Sequence, residues 1–473
     1  MTAPFLDDFG SDGGKRQKRR TRMRIPICFL ITTFTLISGL QGQSPLPKID
    51  AKEVAATLKY LSSDALAGRN TPSPGLEEAA EHIRQRFEKA GLKGGAADQT
   101  FFHQYSKNGK RVALGDCKLT IHANNQETVA VPGKDFRLYK APRAGYAPGK
   151  MIEPARMKLA DAARKGLWSG RRVAKVLLVE APEDSSLWTS CAKDSLSLGR
   201  SRGGDESAPI ILVRPGLLPA GKIKVQVSTP VSQDSPIVLR NVIGLLPGTS
   251  KKDEFVLVSA HYDHIGVGIP KGKGKDAINN GADDDASGTT AVVELAELFA
   301  GLNPQMRPAR SILFVCFSGE EKGLLGSKAM ADSPPVDLKQ IVANINIEMI
   351  GRPAKGKRNC AWVTGASRSN FDEIAEVGFK RAGIKMIEFR MAEQLYYQSD
   401  NFSFAKKKVI AHSISAGSLH KDYHQPTDEF EKIDLKHMTA IINGLAEVTR
   451  EFAQRAERPV ATESKSSNRR RRK

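Results

Sequence analysis

From Val238 onward the chain alternates short, wholly apolar runs with amphipathic stretches, and this alternation restricts the fold more than any other feature. FVLVSAH (255–261) has no polar residue before Ser259, and SILFVCF (311–317) is apolar after its first residue. A strand-length run without a polar face has to be covered on both sides, which is the condition of a central strand in an α/β sheet. Between these two runs, residues 286–301 carry helical spacing and end at Gly301. Further strands are expected at 241–248, 341–349 and 360–364, and further helices near 370–382 and 434–455. The expected fold is an α/β three-layer sandwich, with a central, mostly parallel mixed sheet flanked by helices.

Two helices are expected ahead of this core. Ala51 to Ser62 follows Asp50 as N-cap, and Leu76 to Ala90 stops at Gly91, with the loop GRNTPSPG (68–75) between them. Residues 101–235 change texture to short β-like runs, turns and basic loops, with VAKVLLVEA (173–181) and APIILVRPG (208–216) as the clearest strands. They read as an inserted small β-rich domain. The expected organisation is a basic n-region (1–24), a signal peptide or membrane anchor (25–42), the N-terminal helices (43–100), the insertion (101–235), the catalytic core (236–457) and a basic disordered tail (458–473).

The formal charge of +20 raises the question of nucleic acid. Much of it sits at the two ends, in KRQKRRTRMR (15–24) and in Arg469 to Lys473, and the remainder is diffuse. No nucleic-acid-binding signature uses it, so a specific nucleic-acid partner is not expected. The basic run instead precedes an apolar stretch from Ile25 to Leu40 and small residues near Gly42, the pattern of a secretory signal. The stretch is close to the roughly 17-residue lower limit of a spanning helix, so an uncleaved anchor is the alternative. Either way the remainder is expected outside the cytoplasm, periplasmic, extracellular or membrane-anchored. Cys117, Cys191, Cys316 and Cys360 form no CxxC pair and are expected as free thiols.

Four segments carry chemistry, each where a predicted strand ends or a loop begins. HYDH (261–264) offers His261 as a metal-ligating imidazole, with Asp263 two residues on to orient its ring. GADDDASG (281–288) crowds three carboxylates before a helix, more than capping needs, and such crowding calls for a cation. SGEEKGLLGS (318–327) pairs glutamates that can divide labour between ligating a metal and taking a proton from water. HKDYHQPTDEFEKID (420–434) places Tyr423 beside His424, with His420 as a competing ligand, and Asp400 lies just upstream in QSDN.

In this order, together with NINIEMIG (344–351), these motifs resemble the co-catalytic zinc exopeptidases, a family of bacterial leucine-type aminopeptidases and glutamate carboxypeptidases with glutaminyl cyclases as distant relatives. The resemblance spans about 50–100 and 238–455. It implies two zinc ions per chain held by His261, Asp284, Glu321, Glu348 and His424, with Asp284 shared between them. It further implies Glu320 as general base, Tyr423 as hydrogen-bond donor to the substrate oxyanion, Asp263 as orienter of His261, and a cis bond at Asp284–Asp285. Asp400 and Tyr423 are the substrate-binding candidates. The implied activity is hydrolysis of peptides at their ends, most simply as an aminopeptidase. A carboxypeptidase or dipeptidase would instead need cations for a terminal carboxylate, for which Arg352 and Lys421 are candidates, and a cyclase-type acyl transferase would use one zinc. One departure is Glu348, a glutamate where many aminopeptidases have aspartate.

Overall fold

The buried-strand signal is realised in β4 (Lys251–His261), whose residues from Phe255 to His261 are all buried. Its side chains alternate between two faces, and both faces are covered. Val256, Val258 and Ala260 enter one apolar cluster, while Phe255 and Leu257 enter another on the opposite side. β5 (Arg310–Phe317) divides in the same way, with Ile312, Phe314 and Cys316 on the first face and Leu313, Val315 and Phe317 on the second. Two cores on one sheet are what a three-layer sandwich requires.

The structure is a computed structural model and describes residues 45–140, 151–165, 176–191, 195–198, 209–230, 235–268 and 276–462. The signal or anchor expected at 25–42, the basic run before it and the terminal basic cluster lie outside the described residues. Among the described residues no helix is long and apolar enough to cross a membrane.

Ten described strands form one mixed sheet. Besides β4 and β5, it contains β1 (Phe102–Val112), β2 (Ser195–Leu198), β3 (Ser235–Leu246), β6 (Ile341–Ile347), β7 (Cys360–Val363), β8 (Lys385–Met386) and β9 (Ala411–Ser415), in the order β8-β7-β9-β6-β4-β5-β3-β1-β2, with Lys93–Gly94 pairing on β3. The parallel pairings lie in the middle, β9-β6-β4-β5, and recur at β7-β8. From β5 outward through β3, β1 and β2 every pairing is antiparallel. The sheet is mixed as expected but not mostly parallel among the described strands, its parallel part being concentrated under the site.

The first face is covered by α1 (Ala51–Leu61), α2 (Pro74–Lys89), α3 (Gly288–Ala300), α4 (Phe371–Arg381) and α5 (Leu435–Gln454). Asp50 caps α1 by accepting from Lys52 N, as the sequence suggests. α2 starts earlier than the apolar pattern indicated, because Ser73 caps it and Pro74 fits its first turn. In α5, Met438, Ile441, Ile442, Leu445 and Val448 follow the helical period and are all buried.

The insertion is not wholly set apart. Its first strand, β1, extends the main sheet, pairing with β3 from Ser235↔Gly109 to Val242↔Phe102. Beyond β1 it forms a three-stranded antiparallel sheet (Lys118–Ala123, Gln126–Ala130, Lys224–Ser228) and a four-stranded one (Phe136–Lys140, Ala155–Lys158, Leu177–Glu180, Ile210–Val213) with apolar clusters of their own. Residues 173–175 of the first expected strand lie outside the described residues. Among the described residues Cys117, Cys191, Cys316 and Cys360 are free thiols.

Candidate metal centre

Three adjacent parallel strands end side by side, and each end supplies an acid or an imidazole. His261 closes β4, Glu320 and Glu321 follow β5 after Ser318 and Gly319, and Glu348 follows β6 directly. The turn entering α3 brings Asp283 to Asp285, and the long loop after β9 brings Tyr423 and His424. Strand exits in an open α/β sheet face a crevice because the chain leaves there for its covering helix. Gly281 starts the acidic turn at φ 56°, where a Cβ would collide with Asp284 O and the His264 ring, so only glycine suits the position. The Asp284–Asp285 peptide is cis.

The donors fall into two groups that share Asp284. Its Oδ1 lies 3.4 Å from His261 Nε2, which is 3.3 Å from Glu348 Oε1. Its Oδ2 lies 3.1 Å from His424 Nε2, which is 3.3 Å from Glu321 Oε1. All five residues expected as ligands are thus brought together. Ligand atoms about 2.0–2.2 Å from a tetrahedral zinc lie roughly 3.3–3.6 Å from one another, so these separations suit donors around a small cation.

His264 joins the second group and had no role in the sequence reading. It is fully buried, with Nδ1 2.8 Å from Glu321 Oε1 and 3.8 Å from Asp284 Oδ2. Its signal was present as the second histidine of HYDH. Asp285 approaches the first group, alongside His261 and Glu348. Its Oδ1 accepts from Gly288 N and Met349 N, both at 3.0 Å, tying the start of α3 to the exit of β6.

Several buried polar atoms here make no hydrogen bond of good geometry, even where an opposite charge lies close: Asp284 Oδ2, Asp285 Oδ2, Glu321 Oε1 and both nitrogens of His264. Leaving such atoms unpaired costs about 1–3 kcal/mol each, more when charged, so their concentration at one point fits bound cations. Oxygen and imidazole donors without thiolate match zinc chemistry.

The charges respond to one another. Burial would lower the His424 pKa, but Asp284 and Glu321 outweigh it and hold it up at about 10. Burial would raise Glu321, yet His264 and His424 hold it at about 2. Asp284 is likewise held far below the usual range by its imidazole neighbours against the effect of burial. Glu320 moves the other way, well above its ordinary value, through burial reinforced by the charges of Asp400, Glu348 and Glu321.

Asp263 engages three residues at once. His261 Nδ1 lies 3.0 Å from the Asp263 carbonyl and 3.7 Å from its carboxylate, so the ring is oriented mainly by the main chain. The carboxylate accepts from Glu320 N (3.0 Å) and from Thr71 Oγ1 (2.8 Å). Arg69, unread in the sequence and fully buried, donates to the carbonyls of Tyr262 (2.8 Å), Asn280 (2.8 Å), Gly281 (3.3 Å) and Leu61. One guanidinium therefore joins the segment before α2 to both ligand-bearing turns.

Three expectations change. His420 turns away to Asp283 Oδ2 (3.1 Å). Arg352 is engaged by Asp422 Oδ2 (2.9 Å) and donates to His420 Nδ1 (3.1 Å), which leaves it outside the cavity lining. Asp400 is fully buried and also outside that lining, so a direct hold on substrate is closed to it; burial pushes its carboxyl up to about 7.

The cavity above the donors has a volume of about 670 Å³ including its open mouth. His261, Asp284, Glu320, Glu321 and Glu348 line its inner end together with Tyr423. Tyr423 stacks on His424 with ring centroids 3.9 Å apart. The rest of the lining sets apolar side chains, Met349, Trp362, Phe389, Leu395 and Leu419, among Thr364, Gln398 and serines that include Ser399, with Trp362 and Phe389 stacked at 4.3 Å.

Residues 241–449 match peptidase family M28. A probable zinc metalloprotease of Pyrenophora teres f. teres is 35% identical over 116 residues, 24% of this chain and 23% of that protein. A probable leucine aminopeptidase of Trichophyton verrucosum is 29% identical over 213 residues, 43% of this chain and 55% of that protein. The chain thus spans between about a quarter and a half of the length of these curated relatives. The zinc aminopeptidase BSAP of Bacillus subtilis shares the fold, with a TM-score of 0.52 at 18% identity over 87% of this chain and 96% of that one.

Proposed function

We propose that the chain, whose residues 241–449 match peptidase family M28, is a zinc-dependent aminopeptidase that binds two metal ions per chain and releases residues from the amino ends of peptides. One observation carries this reading: two donor groups share the Asp284 carboxylate at the inner end of a cavity that also contains Glu320. His261, Asp284 and Glu348 would hold one ion, and Asp284, Glu321 and His424 the other. Zinc, when bound, supplies Lewis-acid activation of water and of the scissile carbonyl.

The remaining chemistry belongs to the side chains. Glu320 lines the cavity without a place in either donor group, and its raised pKa suits a carboxylate that accepts a proton from the attacking water and returns it to the leaving amine. Tyr423 is kept as a neutral phenol by burial and by the charges of Asp284 and Glu321, so it is a donor for the carbonyl oxygen as negative charge develops there. The acid-rich inner end suits a free ammonium. Among the described residues the cavity lining includes no Lys or Arg to receive a terminal carboxylate, which favours the aminopeptidase reading over a carboxypeptidase. The apolar part of the lining suits a large apolar side chain at the amino-terminal residue. The basic and apolar segments before residue 43 support export.

Aminoacyl-anilides with free amines should be hydrolysed, leucyl and phenylalanyl compounds fastest, and their N-acetylated forms should not. A zinc chelator should abolish turnover and added zinc restore it. Cleavage of N-blocked dipeptides at a comparable rate would instead select the carboxypeptidase reading. Tyr423→Phe is expected to lower kcat by about 10²–10³-fold, the usual cost of one oxyanion donor, with zinc content and KM little changed. A variant with normal kcat would remove Tyr423 from the chemistry.

A further inference from the structure

Glutamate reaches its donor atoms through more torsions than aspartate, so a metal-binding Glu348 has to be fixed by its surroundings. Its Oε1 faces His261 Nε2 at 3.3 Å, while Oε2 accepts from Ser399 Oγ at 2.6 Å. Ser399 Oγ in turn accepts from Asn346 Nδ2 at 2.9 Å. With that acceptor position taken, the hydroxyl proton is directed at Glu348.

The amide of Asn346 is itself fixed. Its Oδ1 accepts from Ser259 Oγ at 2.8 Å, and Ser259 Oγ accepts from Asn344 Nδ2 at 2.8 Å. The second hydrogen of Asn346 Nδ2 goes to Ser413 Oγ at 3.0 Å. One branch of these donors runs from β4 and β6 to the Glu348 carboxylate at the end of β6, and the other runs through Ser413, whose Oγ donates to Asn401 Oδ1 at 2.9 Å. Ser259, Asn344, Asn346, Ser399 and Ser413 are all buried. Apart from Asn344 Oδ1 its members are paired, and in such surroundings a paired polar chain is rigid, because breaking one link strands the others without water.

We propose that Ser399 is a positioning residue that occupies Oε2 of Glu348 and reserves Oε1 for zinc, so that this ligand binds through a single oxygen. The proposal rests on the zinc exopeptidase reading. Ser399 touches neither His264, Glu321 nor His424 in any hydrogen bond of the structure, so its influence should be confined to the His261 half of the centre.

The test is stepwise zinc titration of the full chain against a chromophoric chelator. Ser399→Ala should weaken one binding step by about 10–100-fold, the usual effect of removing a group that orients a ligand, and leave the other step unchanged. Ser399→Thr keeps the hydroxyl and should bind both ions more tightly than Ser399→Ala. Melting of the metal-free proteins checks that each variant is folded. If Ser399→Ala binds both ions as the unaltered chain does, or if Ser399→Thr is as weak as Ser399→Ala, the proposal is overturned while the exopeptidase reading stands. An unaltered chain that takes up no zinc overturns both.

Discussion

Glu320→Gln should slow peptide hydrolysis by about 10²–10⁴-fold, the range a positioned general base contributes, while zinc uptake stays at the level of the unaltered chain. The separation of the two effects follows from geometry. Glu320 lines the cavity beside the donors but belongs to neither donor group. Its main chain is held by Asp263, whose Oδ1 accepts from Glu320 N at 3.0 Å, so the amide variant keeps its backbone anchor and its shape. What it loses is the ability to take a proton. Neighbouring Glu321 provides the contrast: its Oε1 lies 3.3 Å from His424 Nε2, and Glu321→Gln should lose metal as well as turnover. Steady-state kinetics with metal analysis of the same samples separates the cases. Near-normal turnover in Glu320→Gln would assign the proton to another group.

The sequence was most legible where local rules and burial agreed. The runs at 255–261 and 311–317 became β4 and β5 because continuous apolar strands are stable only between two covering layers. Asp50 was readable because capping is a contact across two residues. Of the five ligand candidates, His261, Glu321 and Glu348 were readable because each follows such a run, whereas Asp284 stood out in an acidic triplet before a helix and His424 in a motif of the resemblance. Strand direction was not: β3 is largely apolar like the central strands, yet pairs antiparallel with both β5 and β1, and direction depends on connections rather than on side-chain pattern.

The supporting residues were hidden for a different reason. Arg69 meets Gly281 across 212 positions, and Ser399 meets Glu348 across 51. Neither lies in a motif that announces its partner. Arg352 illustrates the opposite error: a cation near a ligand motif looked available for substrate, but its charge is engaged by Asp422. Proximity in sequence gave the donors, whereas the groups that orient them appear only once distant loops are brought together. His264 stands between these cases, since it was visible as a histidine in HYDH but acquired a partner only when Glu321 came within 2.8 Å.

The largest effect is expected from Asp284→Asn, because that single carboxylate faces both donor groups. Oδ1 lies 3.4 Å from His261 Nε2 and Oδ2 lies 3.1 Å from His424 Nε2, so neither half of the centre is complete without it. An amide keeps one oxygen donor but loses the negative charge and turns an N–H₂ toward one of the imidazoles. Both ions should therefore be lost, and hydrolysis with them, whereas Glu348→Gln should weaken chiefly the ion beside His261. Thermal denaturation gives a readout independent of activity. Zinc at about 100 times its dissociation constant should stabilise the unaltered chain by about 2.7 kcal/mol per site, provided the unfolded chain does not bind it. Asp284→Asn should show no such gain at the same concentration. If it retained both the metal and the zinc-dependent rise in melting temperature, the two groups would be independent sites and the shared carboxylate would have no part in holding them together.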